Sequence, residues 1–221
     1  MRNDQSRDVL IRPLGLPGAL IIPSHARGLV VFAHGSGSSR FSPRNMAVAR
    51  ALNERGFATL LFDLLTAQEE QDRSNVFNIA MLGDRLVVAV DWLLSQGPAV
   101  ADLPIGLFGA STGAAAALIA AAQLPDRIAA VVSRGGRPDL AGKALPLVRA
   151  PTLLIVGGAD IGVIELNEDA LARLRGPNGL EIVPGATHLF PEPGAMDAVI
   201  EHAARWFERY LQTPRSIRAA V

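Results

Sequence analysis

The 221-residue chain contains no cysteine, which removes disulfides, thiolate-bound metals and a cysteine nucleophile from consideration. Neither charge is in excess, since 21 lysines and arginines balance 21 acids. No basic face for nucleic acid is announced, and a small ligand, neutral or modestly charged, is the expectation. The four histidines are scattered and no H-E-x-x-H occurs, so zinc is not implied. A phosphate loop fails because Gly142-Lys143 has Arg137 at the first glycine position and Ala144 where Ser or Thr is needed. The dinucleotide fingerprint at Gly35-Ser36-Gly37 fails because Arg40 stands at its third glycine. No cofactor is expected. The segment Met1 to Asp8 is not followed by a signal-type apolar stretch, which leaves the cytoplasm as the expected location.

What is present is a 49% hydrophobic chain long enough for one full core, read as a single domain over 1–221 with a mobile tail from about Thr213. The stretch Leu103 to Pro125 carries no charge and approaches the roughly 20 residues of a membrane span. Glycines, prolines, hydroxyls and weakly hydrophobic alanines interrupt it, so it reads as a buried strand and helix, with no membrane partner. Apolar runs without polar alternation predict buried parallel strands at Leu29–Ala33, Ala58–Asp63, Ile105–Phe108, Ile128–Ser133, Thr152–Val156 and Leu180–Val183. Asp8–Arg12 and Ala19–Pro23 predict an antiparallel opening pair around a turn holding Pro13, Gly15, Pro17 and Gly18. Ser42-Pro43 predicts the head of a helix ending near Gly56. Apolar residues at three- and four-residue intervals predict helices over about 75–96 and from Met196 to Tyr210. The expectation is an α/β fold with helices on both faces of a mostly parallel sheet.

Directly after the predicted strand Ile105–Phe108 stands Gly109-Ala110-Ser111-Thr112-Gly113, followed by the alanine-rich helix Ala114–Leu124. G-x-S-x-G between a strand and a helix lifts a serine on a sharp turn, and the helix amino terminus favours developing negative charge. Serine needs an imidazole to take its proton and an acid to orient that imidazole, in chain order serine, acid, histidine. His188, after the last predicted strand, is the candidate base; His202 lies in the last helix and reads as a surface residue. Asp160, after Gly157-Gly158 at the end of a strand, is the candidate acid, with Asp139 and Asp169 as rivals by order. A tetrahedral oxyanion needs two backbone donors. They are expected from the amides of Thr112 and of Ser36 in the loop His34-Gly35-Ser36-Gly37-Ser38-Ser39, with Gly37 in reserve and near the substrate. His34 reads as a brace of that loop. Arg134, at the end of Ile128–Ser133, is either a receiver of a substrate carboxylate or a structural pairing residue.

The ordered set F-A-H-G-S-G-S-S, G-A-S-T-G, G-G-A-D and G-A-T-H, with the opening hairpin, resembles the dienelactone hydrolase branch of the α/β-hydrolase superfamily along nearly the whole chain. That resemblance implies a three-layer fold, an eight-stranded mostly parallel sheet and an active site above its carboxyl edge. Dienelactone hydrolases proper carry cysteine where this chain has Ser111, so a serine esterase on the same scaffold is the closer match. The short link from Ser133 to Pro151 leaves no room for a large cap domain, and a small ester or lactone is the expected partner of a monomer or homodimer. Acyl transfer, or thioester or amide hydrolysis, would use the same triad; a noncatalytic binding role or an accessory subunit also remains open.

Overall fold

The computed structural model describes residues 5–212; the tail expected from Thr213 lies outside them. The chain opens with β1 (Gln5–Ile11) and β2 (Leu16–Ile22), paired antiparallel with Gln5 opposite Ile22. Pro17 and Gly18 lie inside β2 rather than in the turn. The turn closes earlier because the Gly15 amide donates to the Ile11 carbonyl at 2.8 Å, with Gly15 at a φ of 70°.

The remaining strands are β3 (Leu29–Ala33), β4 (Ala58–Phe62), β5 (Ile105–Ala110), β6 (Ile128–Arg134), β7 (Thr152–Gly157) and β8 (Asn178–Val183). The eight-stranded sheet runs β1-β2-β4-β3-β5-β6-β7-β8, antiparallel as far as β4 and parallel beyond it. Every residue of β3, β4, β5 and β7 is buried, as uncharged runs covered on both faces require. From β3 the chain moves outward to β4 and then returns past β3 to β5. Loops therefore diverge at the carboxyl ends of β3 and β5, where open α/β sheets form their ligand crevice.

The helices are α1 (Pro43–Glu54), α2 (Arg73–Val76), α3 (Ile79–Leu94), α4 (Pro98–Ala101), α5 (Thr112–Gln123), α6 (Ile161–Arg173) and α7 (Ala195–Tyr210). One apolar cluster joins the sheet to α3 and α5 through residues such as Leu86, Val90 and Leu118. The other joins its opposite face to α1 and α7 through Val48, Leu52, Val199 and Phe207. Three layers result. The helix expected over about 75–96 is divided, because the Asn78 side chain accepts the Met81 amide at 3.2 Å and starts α3 afresh after α2. The uncharged stretch from Leu103 supplies β5 and the deeply buried α5. Among the described residues no helix is long and apolar enough to cross a membrane. Between β6 and β7 lie 3-10 turns over Pro138–Leu147, and no cap is inserted there.

Candidate active site

Ser111 sits between β5 and α5 with φ 51° and ψ −122°. For a residue with a side chain this is a strained left-handed backbone, held by its surroundings. Its amide donates to the Arg134 carbonyl at 3.2 Å, and its own carbonyl accepts the Arg137 amide at 3.1 Å, so the end of β6 clamps the turn. Two glycines make room for it. A Cβ on Gly113 would fall 2.4 Å from the Ala33 carbonyl oxygen, and one on Gly109 would fall 2.4 Å from the Ala114 Cα. Gly35 packs directly on the nucleophile candidate, its Cβ position lying 3.0 Å from Ser111 Cβ and 3.7 Å from Ser111 Oγ.

His188 and Asp160 arrive from neighbouring loops after β8 and β7. The Ala159 amide donates to the Ala186 carbonyl at 2.9 Å, and Gly157 comes so close to Ala186 that a Cβ would lie 2.3 Å from its oxygen. This contact brings His188 Nδ1 to 2.7 Å from Asp160 Oδ2, with the carboxylate side chain only 20% exposed. Nδ1–H donates to the carboxylate, which leaves Nε2 with its lone pair, the form a general base requires. His188 also abuts Gly135, whose Cβ position is 2.9 Å from the His188 carbonyl oxygen and 3.7 Å from Nδ1, one residue beyond the Arg134 carbonyl that holds Ser111. The rivals are engaged elsewhere. Asp139 pairs with Arg137 at 2.7 Å, Asp169 with Arg173 at 3.7 Å, and His202 Nδ1 stands 3.8 Å from Glu181 on the far strand β8.

The loop after β3 carries its own scaffold. His34 is buried, and its Nε2 accepts the Leu64 amide at 3.2 Å, which fixes the proton on Nδ1, where it donates to the Gly35 carbonyl at 3.0 Å. Burial holds this imidazole below the ordinary histidine value, so it is neutral at pH 7, against weaker upward pulls from the Gly35 hydrogen bond, Asp63 and Glu70. Arg40 closes the loop's far end by pairing with Asp63 through amide and guanidinium. The Ser36 amide donates to Thr112 Oγ1 at 2.8 Å, so its one hydrogen is not free for an oxyanion as expected, and the reserve, Gly37, is left as the donor candidate in this loop. Sequence reading missed this role of the Thr112 hydroxyl, since a bond across 76 positions leaves no local signal. Beside the loop lies a cavity of about 540 Å³ that Ser36 and Gly37 line together with Phe41, Leu65, Val76 and Glu70. Arg134 is buried on the α1 side of the sheet, its Nη2 donating to Asn45 Oδ1 at 3.4 Å.

A serine on a strained strand-to-helix turn, above a parallel sheet and followed in chain order by an acid and a histidine in hydrogen-bond contact, is the site of an α/β hydrolase. The comparisons agree. The alpha/beta hydrolase fold family profile matches residues 28–153, and the chain belongs to that family, in its dienelactone-hydrolase-like branch. The structure of a dienelactone hydrolase from Anabaena variabilis ATCC 29413 superposes with a TM-score of 0.90 and 53% identity, covering 96% of this chain and 99% of that one. Two proteins of Mycobacterium tuberculosis, from strains CDC 1551 / Oshkosh and ATCC 25618 / H37Rv, are provisionally named phosphoribosyl transferases and are 56% identical over 211 residues. That match takes in 96% of this chain and 47% of each relative, so the chain spans about half their length. Est1E from Butyrivibrio proteoclasticus, 17% identical with a TM-score of 0.75 over 92% of this chain and 98% of its own, shares the fold.

Proposed function

We propose that this chain is a serine hydrolase cleaving a small carboxylic ester or lactone, with Ser111 as nucleophile, His188 as general base and Asp160 as its orienting acid. The observation that carries the reading is the 2.7 Å bond from His188 Nδ1 to Asp160 beside a serine held at positive φ. The 53% identity to a protein named dienelactone hydrolase supports it. Ser111 Oγ, which makes no hydrogen bond among the described residues, attacks the ester carbonyl as its proton passes to His188 Nε2; such contacts commonly tighten only with substrate bound. The Thr112 amide and, because the single hydrogen of the Ser36 amide is committed to Thr112 Oγ1, the reserve amide of Gly37 donate to the developing oxyanion. The carbon–oxygen bond to the alcohol breaks, and His188 returns its proton to that alcohol as it leaves. Water then attacks the acyl-enzyme with His188 again as base, releasing the acid and restoring Ser111. Gly37 lines the cavity that takes the uncharged part of the substrate. The same proposal has the protein act as a monomer or homodimer in the cytoplasm, and its zero net charge supports a small molecule rather than nucleic acid as partner.

Labelling with a fluorophosphonate probe and peptide mapping tests this reading. The adduct is expected on Ser111 and absent from folded Ser111→Ala; labelling elsewhere, or none of the folded protein, overturns it. The name of the longer mycobacterial relatives favours a second reading, a hydrolase unit working beside a phosphoribosyl-transfer activity. Ester turnover by the isolated chain, abolished by Ser111→Ala, supports the first reading on its own terms.

A further inference from the structure

Asn167 is a polar residue of α6 that turns inward. It is 0% exposed, while Glu165, Glu168 and Asp169 of the same helix stay in solvent. Its Nδ2 donates to two carbonyls, Gly136 at 3.1 Å and Val163 at 2.7 Å. Two carbonyl acceptors at one end of the side chain require the amide nitrogen there, which turns Oδ1 the other way. That oxygen is buried with no hydrogen-bond partner among the described residues. For stability alone, an asparagine with an unpaired interior acceptor is a poor choice against a leucine of similar size. What the leucine could not supply is the bond to Gly136.

Gly136 belongs to the strip Arg134 to Arg137, which grips Ser111 through two peptide groups. In the first, the Arg134 carbonyl accepts the Ser111 amide at 3.2 Å, and the Gly135 amide of the same planar unit donates to Ile155 of β7 at 2.8 Å. In the second, the Arg137 amide donates to the Ser111 carbonyl at 3.1 Å, and the Gly136 carbonyl of that unit accepts Asn167. Each grip is thus anchored at its far side, one by the sheet and the other by Asn167. Gly135, between the grips, packs at a φ of 51° against the His188 carbonyl. The second bond of Asn167 leads toward the acid, since the Val163 amide donates to the Asp160 carbonyl at 3.0 Å. We propose that Asn167 is a positioning residue for catalysis: by fixing the peptide plane of Gly136 and Arg137 it sets the reach from Ser111 Oγ to His188 Nε2. It acts through this peptide and touches no substrate. A proton passes between those two atoms only at hydrogen-bond distance, so a tilt of the plane slows the chemical step and leaves ester binding alone.

This inference rests on the hydrolase reading, and its test separates the two. Asn167→Leu keeps the volume and removes the donor. With 4-nitrophenyl pentanoate as substrate, kcat is expected to fall about tenfold or more while KM changes little. The rate at which a fluorophosphonate probe labels Ser111 falls with it. Asn167→Ser carries the same comparison where the leucine variant does not fold, because its hydroxyl can still donate to the Val163 carbonyl four residues back but is too short for Gly136. Asn167→Gln retains an amide donor and restores part of kcat. Asn53 is the matched control, a buried asparagine whose Nδ2 bonds Phe57 O at 2.9 Å and Thr59 Oγ1 at 3.1 Å near the amino end of β4, away from Ser111. Asn53→Leu is expected to lower the melting temperature as Asn167→Leu does and to leave kcat at the wild-type value. Wild-type kcat in the Leu and Ser variants, a loss confined to KM, or an equal loss of kcat in Asn53→Leu overturns the positioning role while the hydrolase reading stands. A wild type that neither turns over the ester nor takes the probe overturns the hydrolase reading and this inference with it.

Discussion

The Ser36 amide donates to the hydroxyl of Thr112 at 2.8 Å, joining the loop after β3 to the first residue of α5. Thr112 is 6% exposed, so the bond is protected from water. It commits the Ser36 N–H and holds in place the loop whose next amide, Gly37, is the proposed oxyanion donor outside the nucleophile turn. Thr112→Val removes the acceptor, leaves the Ser36 amide unpaired and lets the loop carrying Gly37 shift. A fall of about tenfold in kcat, with little change in KM, is expected from this small misplacement. Thr112→Ser recovers it, and an unaffected Val variant would show that the loop needs no such tether.

Asp160→Asn keeps the shape of the His188 contact but favours the wrong imidazole tautomer. Turnover is expected to drop by orders of magnitude, up to about 10⁴, with the melting temperature nearly unchanged. His188→Ala, which removes the proposed base, is expected to lose most activity. A mild effect of Asp160→Asn in steady-state assays would transfer the acid role to another residue.

His34 carries a pH dependence of stability whose sign follows from its lowered value. The unfolded chain, with its imidazole near 6.5, takes up a proton more readily than the folded one, so stability falls on acidification from about pH 7 toward the lowered folded value. Protonation also removes the lone pair that accepts the Leu64 amide. Melting curves between pH 7.5 and about 5 are expected to fall more steeply for the wild type than for His34→Gln. Equal slopes would assign the acid sensitivity to other groups.

Gly113→Ala tests the packing of the nucleophile turn against β3. The new Cβ meets the Ala33 and His34 carbonyl oxygens at 2.4 and 2.5 Å, and backbone cannot swing aside as a side chain can. A loss of about 3 kcal/mol in urea denaturation is expected, whereas Gly162→Ala, with nothing within 4 Å, is near neutral.

The buried strands were readable because uncharged aliphatic runs have few alternatives in a chain of this size, and Ser111 because its strand, turn and helix adjoin in sequence. His188 and Asp160 were readable only as candidates. Their bond depends on Gly157 approaching Ala186, a contact between two loops that no periodicity announces. The helix break at Asn78 was hidden by an apolar rhythm that runs through it, since a single capping side chain decides the boundary. For Arg134, sequence supplied the strand end but neither its burial nor the neighbouring Arg44, because both depend on how α1 lies over β6.

Because the proposed triad Ser111, Asp160 and His188 follows β5, β7 and β8, the proposed reactive centre exists only while three parallel strands stay docked. The outermost of them is the weak member. Among the described residues β8 ends the sheet with only β7 for a partner, and it leaves Ile182 45% exposed. Local opening starts at such borders, at a free energy below that of global unfolding. Detachment of β8 withdraws His188 while the rest of the sheet persists, so catalytic competence is lost on warming before the secondary structure melts.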